Sequence, residues 1–283
     1  KGLSKMIDYQ REQDVAVITV DNPPVNALSP GVPQALQSAM ERAHADAEVR
    51  AIVVLGGGRT FIAGADVNEF QKASADAYLA SLRACARVIE DSAKPVVMAI
   101  HGAALGGGLE IAMSGHYRVI APAAQVGQPE VKLGLIPGMG GTQRLPRLAG
   151  FAKAVEMCAF GAPLKAQEAL AAGIVDQIVE GDLRAGAVTF AHEIAGKPIP
   201  RTRDRNQKLA DADPAIFAAA LHQASKKMRG QTAPLAAIAA VKAASELSFE
   251  SGLSAEAAGF DSLLRGTEAK ALIHVFFAER AAA

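Results

Sequence analysis

Two glutamates stand where a charge is hard to place. Glu110 follows three consecutive glycines in the apolar run ALGGGLEIAMSGH (residues 104–116). Glu130 lies between Pro129 and an apolar stretch in GQPEVKLGLIPGMGGTQRLPR (residues 127–147). A buried carboxylate is unfavourable unless it is paired or used, and each glycine loses backbone entropy on folding. One explanation covers both oddities: something must approach the backbone closely at Gly106, Gly107 and Gly108, and a carboxylate must meet it. Two such carboxylates suit general acid–base chemistry, one ionised and the other holding a proton.

The elements that would position them follow from the flanking pattern. The apolar run PVVMAI (residues 95–100) reads as a strand leading into HGAALGGG, then into a short helix, GLEIAMSG, stopped at Gly115. A helix start offers unpaired N–H groups and partial positive charge. This predicts that the Gly107 N–H faces an incoming oxygen and that Glu110, in the first turn, stays ionised and acts as a base. The segment RTFIAGADVNEF (residues 59–70) repeats the theme after the strand-like AIVVLG: Ala63, Gly64 and Ala65 are small and leave backbone N–H groups accessible. Two N–H groups from two such loops make an oxyanion hole, in which a single donor is worth about 2.7–4 kcal/mol of transition-state stabilisation. LGLIPGMGG (residues 133–141), with Leu135, Pro137 and Gly138, reads as a pocket-lining loop, and Arg144 or Arg147 could anchor Glu130 or another carboxylate.

Strand-length apolar runs at residues 15–20, 51–56, 95–100, 117–121 and 173–179 alternate with helical spacing at 32–46 and 76–91. Several of the runs are continuous rather than alternating, which predicts strands covered on both faces. The fold class is therefore α/β. Near residue 197 the chain turns polar, charged and proline-bearing, and everything beyond reads as helix, with Asp213 as an N-cap before Pro214. We divide the chain into a body, residues 1–199, and a helical C-terminal region, residues 200–283. Arg201, Arg203, Arg205 and Lys208 read as a solvated linker face.

Lys and Arg together number 29, as do Asp and Glu, giving a formal charge of +0 over 283 residues. Nothing in that balance favours nucleic acid or an anionic membrane as partner. No apolar run approaches the length of a membrane span, and the opening residues have no apolar signal core. Cys85 and Cys158 form no CxxC pair and read as reduced packing residues. The expectation is a cytoplasmic protein. No His/Cys/carboxylate group has metal-ligand spacing. His101 and His116 read as packed or surface residues, and Ser114 lacks the GxSxG elbow of a serine hydrolase.

Together, IAGADV, HGAALGGGLEIAM and GQPEVKLGLIPGMGGTQRLPR resemble the crotonase (enoyl-CoA hydratase/isomerase) superfamily, over residues 15–179. The likeness is strongest to the hydratase part of multifunctional fatty-acid β-oxidation enzymes, whose connecting helices KKMRGQTAPLAAIAAVKAA and ALIHVFFAER resemble. It implies a ββα spiral with a helical C-terminal region. It implies that the Ala65 and Gly107 N–H groups bind a thioester oxygen and that Glu110 and Glu130 hold one water between them. It implies an acyl-CoA path along Ala63, Gly64, Asp66, Gly106, Leu135, Pro137 and Gly138, without the basic residue that relatives often carry where Asn68 stands. The implied reaction is hydration of a trans-2-enoyl-CoA in fatty-acid β-oxidation, Glu110 activating the water and Glu130 delivering the C2 proton. No cofactor is implied beyond the coenzyme A of the substrate. The alternatives are a Δ3,Δ2-enoyl-CoA isomerase in the same pocket and a non-catalytic acyl-CoA-binding module. GMGGTQ fails the dinucleotide pattern GxGxxG, so the chain reads either as a single-function relative, for which the resemblance leaves a homo-oligomer open, or as a domain of a larger enzyme with a 3-hydroxyacyl-CoA dehydrogenase.

Overall fold

The computed structural model describes residues 6–282. The chain winds as a spiral. Each early turn adds a strand to a large sheet, a short strand or bridge to a small one, and then a helix. The first turn is β1 (Ile7–Glu12), β2 (Val15–Val20), a bridge at Leu28 and α1 (Val32–Ala45). The second is β3 (Ala51–Gly56), bridges at Ile62 and Ala65, and α2 (Ala75–Glu90). The third is β4 (Val96–Ile100), β5 (Ala103–Leu105) and α3 (Gly107–Ser114). The fourth is β6 (Tyr117–Ile120), β7 (Gln125–Gly127) and the 3-10 turn Glu130–Leu133. Then follow α4 (Gly141–Ala149), α5 (Phe151–Phe160), β8 (Leu164–Lys165), α6 (Ala166–Ala172), β9 (Gln177–Ile178) and α7 (Leu183–Ile194). This is the ββα spiral that the resemblance implied.

The large sheet runs β1-β2-β3-β4-β6-β9, antiparallel only between β1 and β2; the small sheet runs β5-β7-β8. The continuous apolar strands are explained by cover on both faces. Ala16, Ile18, Ile52, Val54 and Met98 join the main core, while Val15, Val17, Val53, Val97 and Val119 pack with Val188, Ala191 and Ile194 of α7. The parallel register sets Leu55 beside Ala99, so the loops leaving β3 and β4 emerge together from one edge of the sheet. That juxtaposition places the site. Paired hydrogen bonds staple the two loops: the Thr60 hydroxyl donates to the Ala103 carbonyl and accepts the Ala103 N–H, and the Phe61 N–H donates to the His101 carbonyl.

The C-terminal helices are α8 (Pro214–Lys227), α9 (Ala233–Glu246), α10 (Phe249–Arg265) and α11 (Thr267–Ala282). Asp213 caps α8 by accepting the Ala215 N–H, as its type predicts. Helix α9 packs on α4 and α5, α10 on α4, and α11 on the Glu130–Leu133 turn. Ala237, Val241, Phe260 and Ile273 belong to the same buried cluster as the spiral.

Two expectations are corrected. The run at residues 173–179 is strand only at Gln177–Ile178: Gly173, at φ 81°, ends α6, and Ile174 and Val175 enter the core through a turn. The basic segment after residue 200 is a docked connection rather than a free solvated face, although Lys208 remains exposed. Arg201 donates to the Glu90 carbonyl, Arg203 pairs with Asp91 at 2.6 Å, and Lys208 donates to the carbonyls of Leu148 and Ala172. Two of these cations bond backbone carbonyls and one a carboxylate, and so dock the connection.

Candidate active site

Helix α3 begins at Gly107, in the turn between the stapled loops. Gly106 has φ 52°, a left-handed conformation that favours glycine, and a Cβ there would meet Glu130 Oε1 at 2.9 Å. At Gly108 a Cβ would lie 1.9 Å from the Ile62 carbonyl oxygen, so α3 can approach the second loop only without a side chain. Gly107 is so near that loop that its Cβ position lies 3.2 Å from the Ala65 nitrogen. Among the described residues, neither the Ala65 nor the Gly107 N–H donates to a protein acceptor. Tyr78 holds the Ala65 loop: its hydroxyl donates to the Leu28 carbonyl at 2.7 Å and accepts the Asp66 N–H at 2.8 Å.

Glu110 is 2% exposed, and its Oε1 accepts the N–H groups of Met139 and Gly141, both at 2.7 Å. Glu130, at the start of its 3-10 turn, is half-buried. With the Gln128 amide nitrogen turned toward it, Gln128 donates to both of its carboxylate oxygens, at 2.9 and 3.0 Å. No cation pairs with Glu110 or Glu130 among the described residues. Arg144 instead pairs with Glu90 through Nε and Nη2, at 3.2 and 2.8 Å, and donates from Nη1 to the Met139 carbonyl.

Burial is the largest influence on both carboxyls. It raises the pKa of Glu110, opposed by the N–H groups of Met139 and Gly141 and by the Arg144 charge. It raises that of Glu130 well above the usual range, reinforced by the negative charge of Glu110. The helix start alone therefore does not set the charge of Glu110; the backbone donors of the 139–141 loop do. Of the two, Glu130 is pushed further up and holds a shared proton the more readily.

Glu110, Glu130, Ala65 and Gly107 line one cavity of about 430 Å³, with Ala63, Gly64, Gly106 and Gly138. One side of the cavity is apolar, with Leu79, Leu82, Phe70 and Phe260; Lys132, Glu279 and Arg280 are charged groups on its lining. Three expected lining residues stand elsewhere. Leu135 is fully buried in the core, Pro137 packs under Gly141, and the Asp66 carboxylate caps its own loop by accepting the Asn68 N–H and the Ser29 hydroxyl. His116 is a packing residue: Nδ1 accepts the Val96 N–H, Nε2 meets the Glu90 carbonyl, and burial pushes its pKa down to about 4. The Ser114 hydroxyl donates to the Glu110 carbonyl within its own helix.

Three contributors escaped the sequence reading. Gln128 stands two residues before Glu130, and Tyr78 is an isolated polar aromatic on an apolar helix face. Glu256 is 1% exposed on α10. Its signal was present: Gly252, Glu256 and Phe260 are spaced by four and share one helix face, so a charge interrupts a buried stripe.

A family model described as enoyl-CoA hydratase/isomerase matches residues 10–246. The peroxisomal bifunctional enzyme of Danio rerio is 43% identical over 274 residues, which is 96% of this chain and 38% of that protein. A probable enoyl-CoA hydratase of Bacillus subtilis (strain 168) is 49% identical over 168 residues, covering 58% of this chain and 65% of that one. The crystal structure of enoyl-CoA hydratase from Bacillus halodurans superposes with a TM-score of 0.72 at 21% identity, covering 95% of this chain and 99% of that one; it supports the fold alone. The chain belongs to the enoyl-CoA hydratase/isomerase family. It spans 38% of the length of the bifunctional relative from Danio rerio.

Proposed function

We propose that this chain hydrates trans-2-enoyl-CoA thioesters to 3-hydroxyacyl-CoA, as in fatty-acid β-oxidation. The carrying observation is that the Glu110 and Glu130 carboxyls line one cavity with two backbone N–H groups that donate to no protein acceptor among the described residues. The thioester carbonyl oxygen lies against the Ala65 and Gly107 N–H groups. Glu110, ionised and fixed by two amides, takes a proton from water as the water oxygen bonds to C3. The C2–C3 π electrons move toward the thioester, and the enolate-like charge is stabilised at the amide pair. Glu130 then gives its proton to C2. After product release a proton passes from Glu110 back to Glu130, which restores the starting state. Gln128 holds the Glu130 carboxyl in place throughout.

The substrate brings the coenzyme A, and the reaction needs no cofactor. The apolar wall of Leu79, Leu82, Phe70 and Phe260 suits an acyl chain. A 3-hydroxyacyl thioester is the substrate of an NAD-dependent 3-hydroxyacyl-CoA dehydrogenase, so an activity of that class would follow in sequence. Two carboxyls favour hydration over double-bond migration, because an isomerase needs only one of them to shuttle a proton. The test is loss of the enoyl-thioester absorbance on mixing crotonyl-CoA with the protein. Turnover that depends on Glu110 supports the hydratase. No hydration of any enoyl-CoA, with 3-enoyl-CoA isomerised by E110Q as well as by wild type, would replace it with the isomerase.

A further inference from the structure

We infer that Glu256, on α10, is a positioning residue for the reaction: it grips the 138–142 loop by the amides alternate to those that hold Glu110. The inference rests on the hydratase reading of that carboxylate. Along four consecutive residues the backbone N–H groups point by turns to two buried acids. Met139 and Gly141 donate to Glu110. Gly140 donates to Glu256 Oε1 at 2.5 Å, and Thr142 donates to Oε2 at 2.8 Å. The Thr142 hydroxyl adds a third bond, to Oε2 at 2.6 Å, and itself accepts from Gln143 Nε2, which also donates to the Ala240 carbonyl of α9. One strip of backbone is thus held between a carboxylate of the spiral and one of the C-terminal helices.

The grip has a structural cost that marks it as specific. Among the described residues no cation pairs with Glu256, and its partners are backbone amides and a hydroxyl. A buried carboxylate without a cation is unfavourable compared with a well-packed apolar residue. Helix α10 must also lie very close to α4: a Cβ at Gly252 would meet Gln143 Oε1 at 2.1 Å. One turn beyond Glu256, Phe260 lines the substrate cavity. The same helix therefore supplies a wall of the pocket and the tether of its loop. The loop amides are the only hydrogen-bond donors to the Glu110 carboxylate among the described residues. A shift of the loop moves that carboxylate relative to the reacting water, and misplacement by about 1 Å can lower a rate on the order of 10²-fold. In the alkaline range, where Glu256 itself ionises, its charge also raises the pKa of Glu130. Its removal should let Glu130 lose its proton at lower pH.

The test compares E256Q, T142V, E110Q and wild type on crotonyl-CoA, each as kcat, KM and a pH profile of kcat. In E256Q the amide nitrogen opposes the Gly140 or Thr142 N–H. We expect kcat to fall by about 10- to 100-fold, with KM within about threefold, and the alkaline limb to move to lower pH. T142V, which removes one bond of three, should lose several-fold in kcat. Wild-type kcat and an unmoved alkaline limb in E256Q, with only a lower melting temperature, would overturn the inference. If E256Q does not fold, unchanged kcat and limb in T142V would overturn it equally. E110Q separates the two claims: full turnover in E110Q defeats the hydratase reading, while an inactive E110Q beside a normal E256Q defeats only the role of Glu256.

Discussion

Two kinds of buried acid border the same glycine loop, and they are solved differently. In the first, Glu90 takes a two-pronged Arg144 and the Arg203 N–H, and Arg144 continues to the Met139 carbonyl. Charge meets charge, and the result is a strut. In the second kind, Glu110, Glu130 and Glu256 accept hydrogen bonds from amides and a hydroxyl and form no ion pair among the described residues, and burial raises the pKa of each, Glu256 to about 8. The contrast separates structure from chemistry. A carboxylate clamped by a guanidinium is committed to holding that cation in place. Carboxyls kept from cations, and near one another, can hold and pass a proton.

The largest expected effect sharpens this contrast. E110Q and E130Q should each lower kcat by roughly 10²–10⁴, the usual worth of a general acid or base, and leave the melting temperature level or higher, because each removes a carboxyl that is costly to ionise where it sits. E90Q should do the opposite. It leaves the Arg144 charge buried without its partner, which costs about 3–5 kcal/mol, while kcat per folded molecule stays within a few-fold. Denaturant unfolding and steady-state kinetics on the same preparations check both. A stable, inactive E90Q beside an active, unstable E130Q would break the comparison.

The next effect is the pH dependence of stability. A carboxyl whose folded pKa is raised stabilises the fold most below its unfolded pKa, and that contribution is lost as pH rises through the folded value. His116, held near 4 when folded, acts in the opposite sense up to its ordinary value of 6.5. Between 6.5 and about 8, where Glu256 titrates, the raised carboxyls govern the slope. Unfolding free energy should therefore fall with pH across that window, by up to about 1.4 kcal/mol per pH unit for each such group. E130Q should flatten the curve; a rise with pH in wild type would contradict the assignment.

The smallest effect concerns the amide pair rather than the acids. Y78F removes the bond to the Leu28 carbonyl and leaves the Asp66 N–H without its acceptor. It should destabilise the protein by about 1–3 kcal/mol and lower kcat a few-fold through the neighbouring Ala65 amide, measured by unfolding and by crotonyl-CoA kinetics.

The parts of the site that were legible in the sequence are those that violate a local rule. A charge inside an apolar run exposes Glu110 and Glu130, and glycines before a helix expose the Gly107 amide. Continuous apolar strands predict a sheet covered on both faces, and α7 covers the second. What escaped depends on partners that local spacing does not name. Asp66 looked like a binding residue and is used on its own loop; Leu135 and Pro137 lie in an apolar loop whose side chains turn into the core. The basic segment after residue 200 looked solvated because its carbonyl acceptors are distant in sequence. Glu256 broke the same rule as Glu110, but the loop it grips is 114–116 residues away.

The central claim is that Glu110 and Glu130 act as a unit on one water. It is tested most directly by kcat for crotonyl-CoA in E110Q, in E130Q and in the double variant. Groups that share one step are strongly non-additive. The double variant should be about as slow as the slower single one. Penalties that multiply, or a single variant that turns over like wild type, would contradict the account.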